Sequence, residues 1–302
     1  MVIRSLIALI AIISAAVHSP ALAQSDPLPK IAVFEAATTP ASTNTFRDYL
    51  LEAGELTRQI EEGLRASRRF EVFERSTFVM SEAIDAEREL ALDKNFEKNA
   101  AAFGKKANVQ FIVYPMITYL NFNIRQSAME ENPGRFRYSA TGSVAITTKV
   151  LDTDTGQIAY QATREVPLPS QNDIARGING PNDRSTVTAN AWRFLARSAG
   201  VQITNAVVGS LFPVQVMQAN GADIFVNRGE GAGIEVGDIF QLFAAGEALI
   251  DPVTKEKLGD AETLIGEAQV ARVTPRFSVL KATSPLSAMP KAGDVARPKS
   301  KP

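Results

Sequence analysis

The chain has 302 residues, 45% hydrophobic and 22% charged, with 32 basic against 33 acidic groups and a formal net charge of −1. It contains no cysteine and one histidine, His18, inside a removable-looking N-terminal stretch. This excludes disulfides, Cys- or His-based zinc sites, thiol nucleophiles and, in the mature chain, every His-based triad. Arg4 precedes an apolar run, Leu6 to Val17, and Ala21-Leu22-Ala23 has the small-x-small form read by signal peptidase. The run is shorter than the roughly 20 residues of a bilayer span, so residues 1–23 are expected to be a cleaved signal peptide. Without a cysteine to acylate, the product is expected to be periplasmic, soluble and not lipid-anchored.

Further along, Lys30–Phe34 reads as a buried strand, followed by a polar loop to Asn44. Phe46, Leu50, Ala53, Leu56, Ile60 and Leu64 fall at steps of three and four, which predicts one amphipathic helix over 46–64. Arg69–Arg75 alternates as a short strand, and 76–92 and 95–106 read as helices, the second ending near Gly104. Val109–Met116 predicts a central strand disturbed by Pro115. Residues 135–151 alternate as an antiparallel strand that turns at Asp152–Gln157 and returns over Ile158–Val166. A loop at 171–182 leads to a long helix over 183–211 carrying the single tryptophan, Trp192, and stopping before Pro213.

Beyond that point the pattern changes to short β-like runs at 214–217, 222–226, 238–243, 264–273 and 277–282, separated by Gly, Asp and Pro turns. The expected class is α+β: an N-terminal mixed α/β sandwich, a sheet flanked by helices, followed by a small C-terminal β-barrel-like domain. The expected boundaries are 1–23 for the signal peptide, 24–212 for the α/β domain, 213–296 for the β domain and 297–302 for a disordered tail.

Several fragments suggest chemistry and are better explained by turns. Asp154-Thr155-Gly156 has the form of an aspartic-protease triplet, but no second triplet supplies a partner carboxylate. The spacing around Asp152 and Asp154 does not match a calcium loop, and Gly104-Lys105 lacks the glycine spacing of a P-loop. Gly229-x-Gly231-x-Gly233 lies between β runs rather than before a helix. Arg68-Arg69 and Lys105-Lys106 are short basic runs, so no nucleic-acid partner is expected. No catalytic residue, cofactor or metal is assigned. The residues singled out form a structural turn motif: Gly229, Gly233 and Gly237 for tight or positive-φ turns, and Asp238 as an acceptor of backbone N–H bonds. Asp251-Pro252 would open a further turn that closes near Gly259.

The segments KIAVF at 30–34, LRASRRFEVFER at 64–75, AAFGKKANVQFIVYPMIT at 101–118 and SVAITTKVLDTDTGQIAYQ at 143–161 make an ordered set. Over 30–211 this set resembles the curli production assembly/transport component family. ADIFVNRGEGAGIEVGDIFQLF at 222–243 and DPVTKEKLGDAETLIGEAQVARV at 251–273 resemble the C-terminal domain of the flagellar assembly protein T family over 214–296. The resemblance implies a non-enzymatic role in a cell-envelope surface-structure or secretion assembly. The partners it implies are envelope proteins and further copies of the chain, with peripheral outer-membrane association and no small-molecule substrate. Two rivals stand beside it: an oligomeric secretion-channel subunit of the curli-transport type, and a carboxylate-based periplasmic hydrolase. A channel would need lipid-facing hairpins. The nearest, Thr118–Ser143, offers only Leu120, Phe122 and Ile124 before a polar turn, so it reads as a soluble hairpin.

Overall fold

A computed structural model describes residues 27–73, 104–105, 107–169, 183–253, 255 and 257–299. The expected signal peptide, the helix at 76–92, most of that at 95–106 and the loop at 171–182 lie outside these residues. The class is α+β, with a mixed sheet and its helices followed by a closed β-barrel.

The sheet is built on two long strands, β4 (Phe111–Ala128) and β5 (Phe136–Asp152), paired antiparallel along their whole length. β6 (Ile158–Pro167) adds to β5 antiparallel, while β1 (Lys30–Val33) and β2 (Ala37–Thr38) lie in series along the other side of β4, both parallel to it. β3 (Glu71–Val72) pairs parallel with β1 and completes the order β3-β1-β4-β5-β6. Pro115 does not interrupt β4. It sits between the last β1 partner, Val113, and the first β2 partner, Met116, where no neighbour asks for an N–H.

Residues 46–64 form two helices rather than the expected one. α1 (Pro40–Asp48) begins with proline at its first turn, and α2 (Gly54–Ala66) follows a break at Leu50, whose φ is +52°. The polar composition of 38–45 has a structural use. Thr39 and Ser42 hydroxyls donate to the carbonyls of Thr118 and Ile117 at 3.1 and 2.8 Å, and Thr45 donates to Leu120 at 3.3 Å. These hydroxyls, with Thr39 N donating to Ile117 O at 3.1 Å, tie α1 and its N-cap to the edge of β4 from Ile117 to Leu120.

α3 (Arg184–Leu211) lies against α2, β5 and β6. Glycines bring α2 and α3 close: a Cβ at Gly63 would fall 2.4 Å from Thr204 Oγ1, and one at Gly200 2.6 Å from Gln59 Cβ. The core between helices and sheet holds Leu56, Ile60, Val113, Ile146, Leu195 and Val207. Trp192 is buried there, its ring edge-on to Phe46 at 4.9 Å and its Nε1 donating to Glu52 O at 2.9 Å. The turn after β5 is tied by Asp152 Oδ1, which accepts from the backbone N–H groups of Asp154 and Thr155 at 2.9 and 3.0 Å.

The barrel closes in the order β10-β11-β8-β7-β12-β9. Its strands are β7 (Val214–Asn220), β8 (Asp223–Val226), β9 (Ile239–Ile250), β10 (Lys257–Val273), β11 (Ser278–Ala282) and β12 (Val295–Pro298). Val216, Ile224, Phe240, Leu242, Val270 and Leu280 fill it. β12 has no counterpart among the expected strands. It ends at Pro298, inside the stretch expected to be a disordered tail, and Lys299 N donates to Ile239 O at 2.8 Å. The buried Asp294 carboxylate orders its approach, accepting from Lys291 N at 2.7 Å and Ala245 N at 3.1 Å.

Candidate functional site

Two features project from this frame. β9 and β10 pair from Gln269↔Ile239 out to Lys257↔Ile250, far beyond the last β12 partner, Phe243, and the last β11 partner, Ala268. The outer part is a free two-stranded ribbon. Sequence reading found only its barrel half, because AAGEALI and KLGDAETL do not alternate. Among its described residues the ribbon exposes the apolar side chains of Leu249 at 52%, Ile250 at 51% and Val253 at 86%. The β4–β5 hairpin also outruns its neighbours, and its outer end bears Arg125, Glu130, Glu131, Arg135 and Arg137. Those charges would be costly in hydrocarbon.

The residues singled out from sequence divide between the loop at 227–238 and the ribbon. Gly233 (φ +74°) and Gly237 (φ +97°) take the left-handed backbone; Gly229 does not, and is instead closely approached, a Cβ there falling 2.6 Å from Thr274 O. Asp238 Oδ2 accepts from Glu235 N at 2.9 Å. Asp251 Oδ1 accepts from Val253 N at 2.7 Å in the turn that contains Pro252. Gly259 (φ +147°) lies inside β10, at a register shift, and not at the end of that turn. The ribbon tip and the 227–238 loop are thus two separate places.

The loop packs on the helices and carries a residue that sequence reading passed over. Arg228 is 3% exposed; its Nη1 donates to Ala232 O at 3.1 Å and its Nη2 to Phe212 O at 2.5 Å. Its Nε is buried without a hydrogen-bond partner, and no acidic group among the described residues pairs with it. Burial pushes its pKa down to about 10, assisted by the like charge of Arg69. Arg69, itself lowered by burial, lies over the Phe212 ring at 6.0 Å. A buried cation without a counter-ion is strongly disfavoured. Part of the compensation comes from position, because Phe212 is the C-cap of the 28-residue α3, where the helix dipole presents negative charge. A single arginine in a glycine-rich loop gives no periodicity signal, and only the fold places it under the helix end.

A cleft of about 500 Å³ opens beside it, walled by Asn205, Pro213, Phe240, Asp260 and Arg297 among others. On its wall Arg297 grips Glu262 through two bonds, at 2.7 and 2.9 Å. A second, open depression lies where Arg184 covers the Tyr49 ring at 5.8 Å, near Asp48 and Thr188. Among the described residues no group of three or more His, Cys, Asp or Glu could hold a metal ion, and no helix is long and apolar enough to cross a membrane.

No protein-family model matches the chain, and no curated protein matches it in sequence. The two family resemblances therefore stand as resemblances. Among solved structures, a hypothetical protein from Chlamydia trachomatis aligns at 13% identity, over 60% of this chain and 98% of that one, with a TM-score of 0.34. A PelC dodecamer from Paraburkholderia phytofirmans aligns at 13% identity, over 57% of this chain and 85% of its own, with a TM-score of 0.28. The lipoprotein GNA1162 from Neisseria meningitidis aligns at 8% identity, over 49% and 88% of the two chains, with a TM-score of 0.29. Likeness at this level assigns the chain to no family and lends it no activity.

Proposed function

We propose that this protein is a non-enzymatic, exported component of a cell-envelope assembly, working by protein–protein contact in the periplasm. The observation that carries the reading is the β9–β10 ribbon. A two-stranded ribbon is marginal by itself in water, and this one holds Leu249, Ile250 and Val253 in solvent, outside every buried hydrophobic cluster. Such a finger gains stability when a partner surface covers it. The chemistry of the acids points the same way. Glu262 and Glu267 are bound to Arg297 and Lys299, and Glu55 to Arg58, so these carboxylates serve as structural ties. The sequence resemblance to curli-transport and flagellar-assembly proteins, and the signal-like N-terminus, supply the envelope setting.

The test is photocrosslinking in cells, with a photoreactive residue at Val253 and a control at a barrel position away from the ribbon. Adducts to envelope proteins or to a second copy, formed at Val253 and not at the control, are expected. Monomer alone at every ribbon position would overturn the reading. Fractionation checks the setting, with the mature chain expected in the periplasmic fraction.

A further inference from the structure

We propose that the cleft between the end of α3 and the barrel binds a carboxylate-bearing ligand, with the carboxylate on Arg228 and an adjacent amide on Asn205. Arg228 lines this cleft and is 3% exposed, with no acidic partner among the described residues. Its Nη atoms use one N–H each on the carbonyls of Ala232 and Phe212, which leaves further N–H donors in the fork. The helix end offsets only part of the positive charge, and an anion in the cleft would complete the compensation.

Asn205 supplies the second half of the site. It is half-buried on α3, lines the same cleft, and its side-chain amide has no hydrogen-bond partner among the described residues. Gly233 packs directly against that amide, since a Cβ there would fall 2.4 Å from the Asn205 side chain, and so fixes where the amide sits in the cleft wall. Pro213, Val214 and Phe240 offer apolar wall for an aliphatic group. A volume of about 500 Å³ lies within the range of small-ligand sites, roughly 300 to 1,000 Å³, and exceeds what a free ion needs.

Charge selects the class of anion. Glu262 on the wall is neutralised by Arg297. One guanidinium matches one carboxylate in charge, and a dianionic phosphate would leave its second charge unbalanced. A carboxylate next to an amide is found at the end of any peptide, whether a free short peptide or the C-terminus of a protein chain. The site stands whether or not the ribbon meets a partner.

The experiment uses the full mature chain, isotopically labelled, and two probes: N-acetyl-alanyl-alanine and its C-terminally amidated form. The carboxylate form is expected to bind at least about tenfold more tightly and to shift the Arg228 side-chain Nε–H resonance. Asn205→Ala loses no hydrogen bond within the fold and is expected to weaken binding severalfold at unchanged melting temperature. Arg228→Gln is expected to abolish binding, but it also cuts the tie to α3, so the Asn205→Ala affinity and the wild-type resonance are the decisive readouts. A longer peptide with the same two terminal residues separates the sources: equal affinity identifies a chain end as ligand, and loss of binding identifies a free short peptide. Absence of saturable binding at millimolar peptide, or equal binding of the amidated probe, overturns the proposal.

Discussion

Thr148 Oγ1 and Thr204 Oγ1 are buried without hydrogen-bond partners, so each hydroxyl has lost its water and gained nothing in return. Thr204→Val, which keeps the shape against Gly63, is expected to raise unfolding free energy by about 1 kcal/mol in denaturant titrations. Asp183 works in the opposite sense. Its carboxylate caps α3, accepting from the Ser185 hydroxyl, from Thr186 N at 2.8 Å and from Thr186 Oγ1 at 3.0 Å. These bonds, Ser185's first, hold its pKa at about 2 against an ordinary 3.8. Because the folded value is depressed, its contribution is complete above about pH 4 and lost as pH falls toward 2. Asp183→Ala is expected to lower the denaturation midpoint at neutral pH, and the gap from wild type should close between about pH 4 and pH 2. Asp183 was legible as the start of a helix, because an acid before an Ala-rich periodic run is a capping signal. Leu50 was not: as an apolar residue in phase with Phe46 and Ala53 it reads as helix interior, yet it is 89% exposed at φ +52°. Leu50→Gly is expected to stabilise by about 0.5–1 kcal/mol, since glycine takes that backbone without a Cβ clash.

At the scale of elements, patterning served well where one face is buried and failed where both are wet. β5 was readable because Ala140, Val144, Ile146 and Val150 share the face toward the helices. The outer ribbon of β9 and β10 has no such face, and its bulges near Gly246, Gly259 and Gly266 break the alternation that remains. Pro115 shows a different failure, since its tolerance depends on which strands lie beside β4, and the sequence does not carry that knowledge. The ribbon also separates contact from folding. Replacing residues 246–261 by Asn-Gly should leave the barrel closed, because the pairs Ala245↔Glu262 and Phe243↔Leu264 lie inside the cut. The expected result is a circular-dichroism spectrum and melting temperature close to wild type, with co-purification of the partners captured through Val253 in the intact chain lost.

Across the whole molecule, the sheet half and the barrel meet, among the described residues, at the end of α3, the loop at 227–238 and the end of α2. Gly231, at φ +73°, brings that loop against α2 so closely that a Cβ would fall 2.6 Å from Ala66 O. Gly231→Val should push the loop off the helix and uncouple the halves. Calorimetry is expected to show one transition for the wild type and two for the variant. The class of the fold was legible in composition and spacing. The candidate cleft was not, because its defining contacts join Arg228 to Phe212 and Gly233 to Asn205, pairs that no local pattern links.

Trp192, the single tryptophan, is tied to Glu52 and stacked edge-on to Phe46 inside the helical half. Intrinsic emission therefore watches one half of the molecule and is blind to the barrel. A barrel that opened first would do so in the dark, and an emission-based melt would credit the intact half's stability to the whole chain.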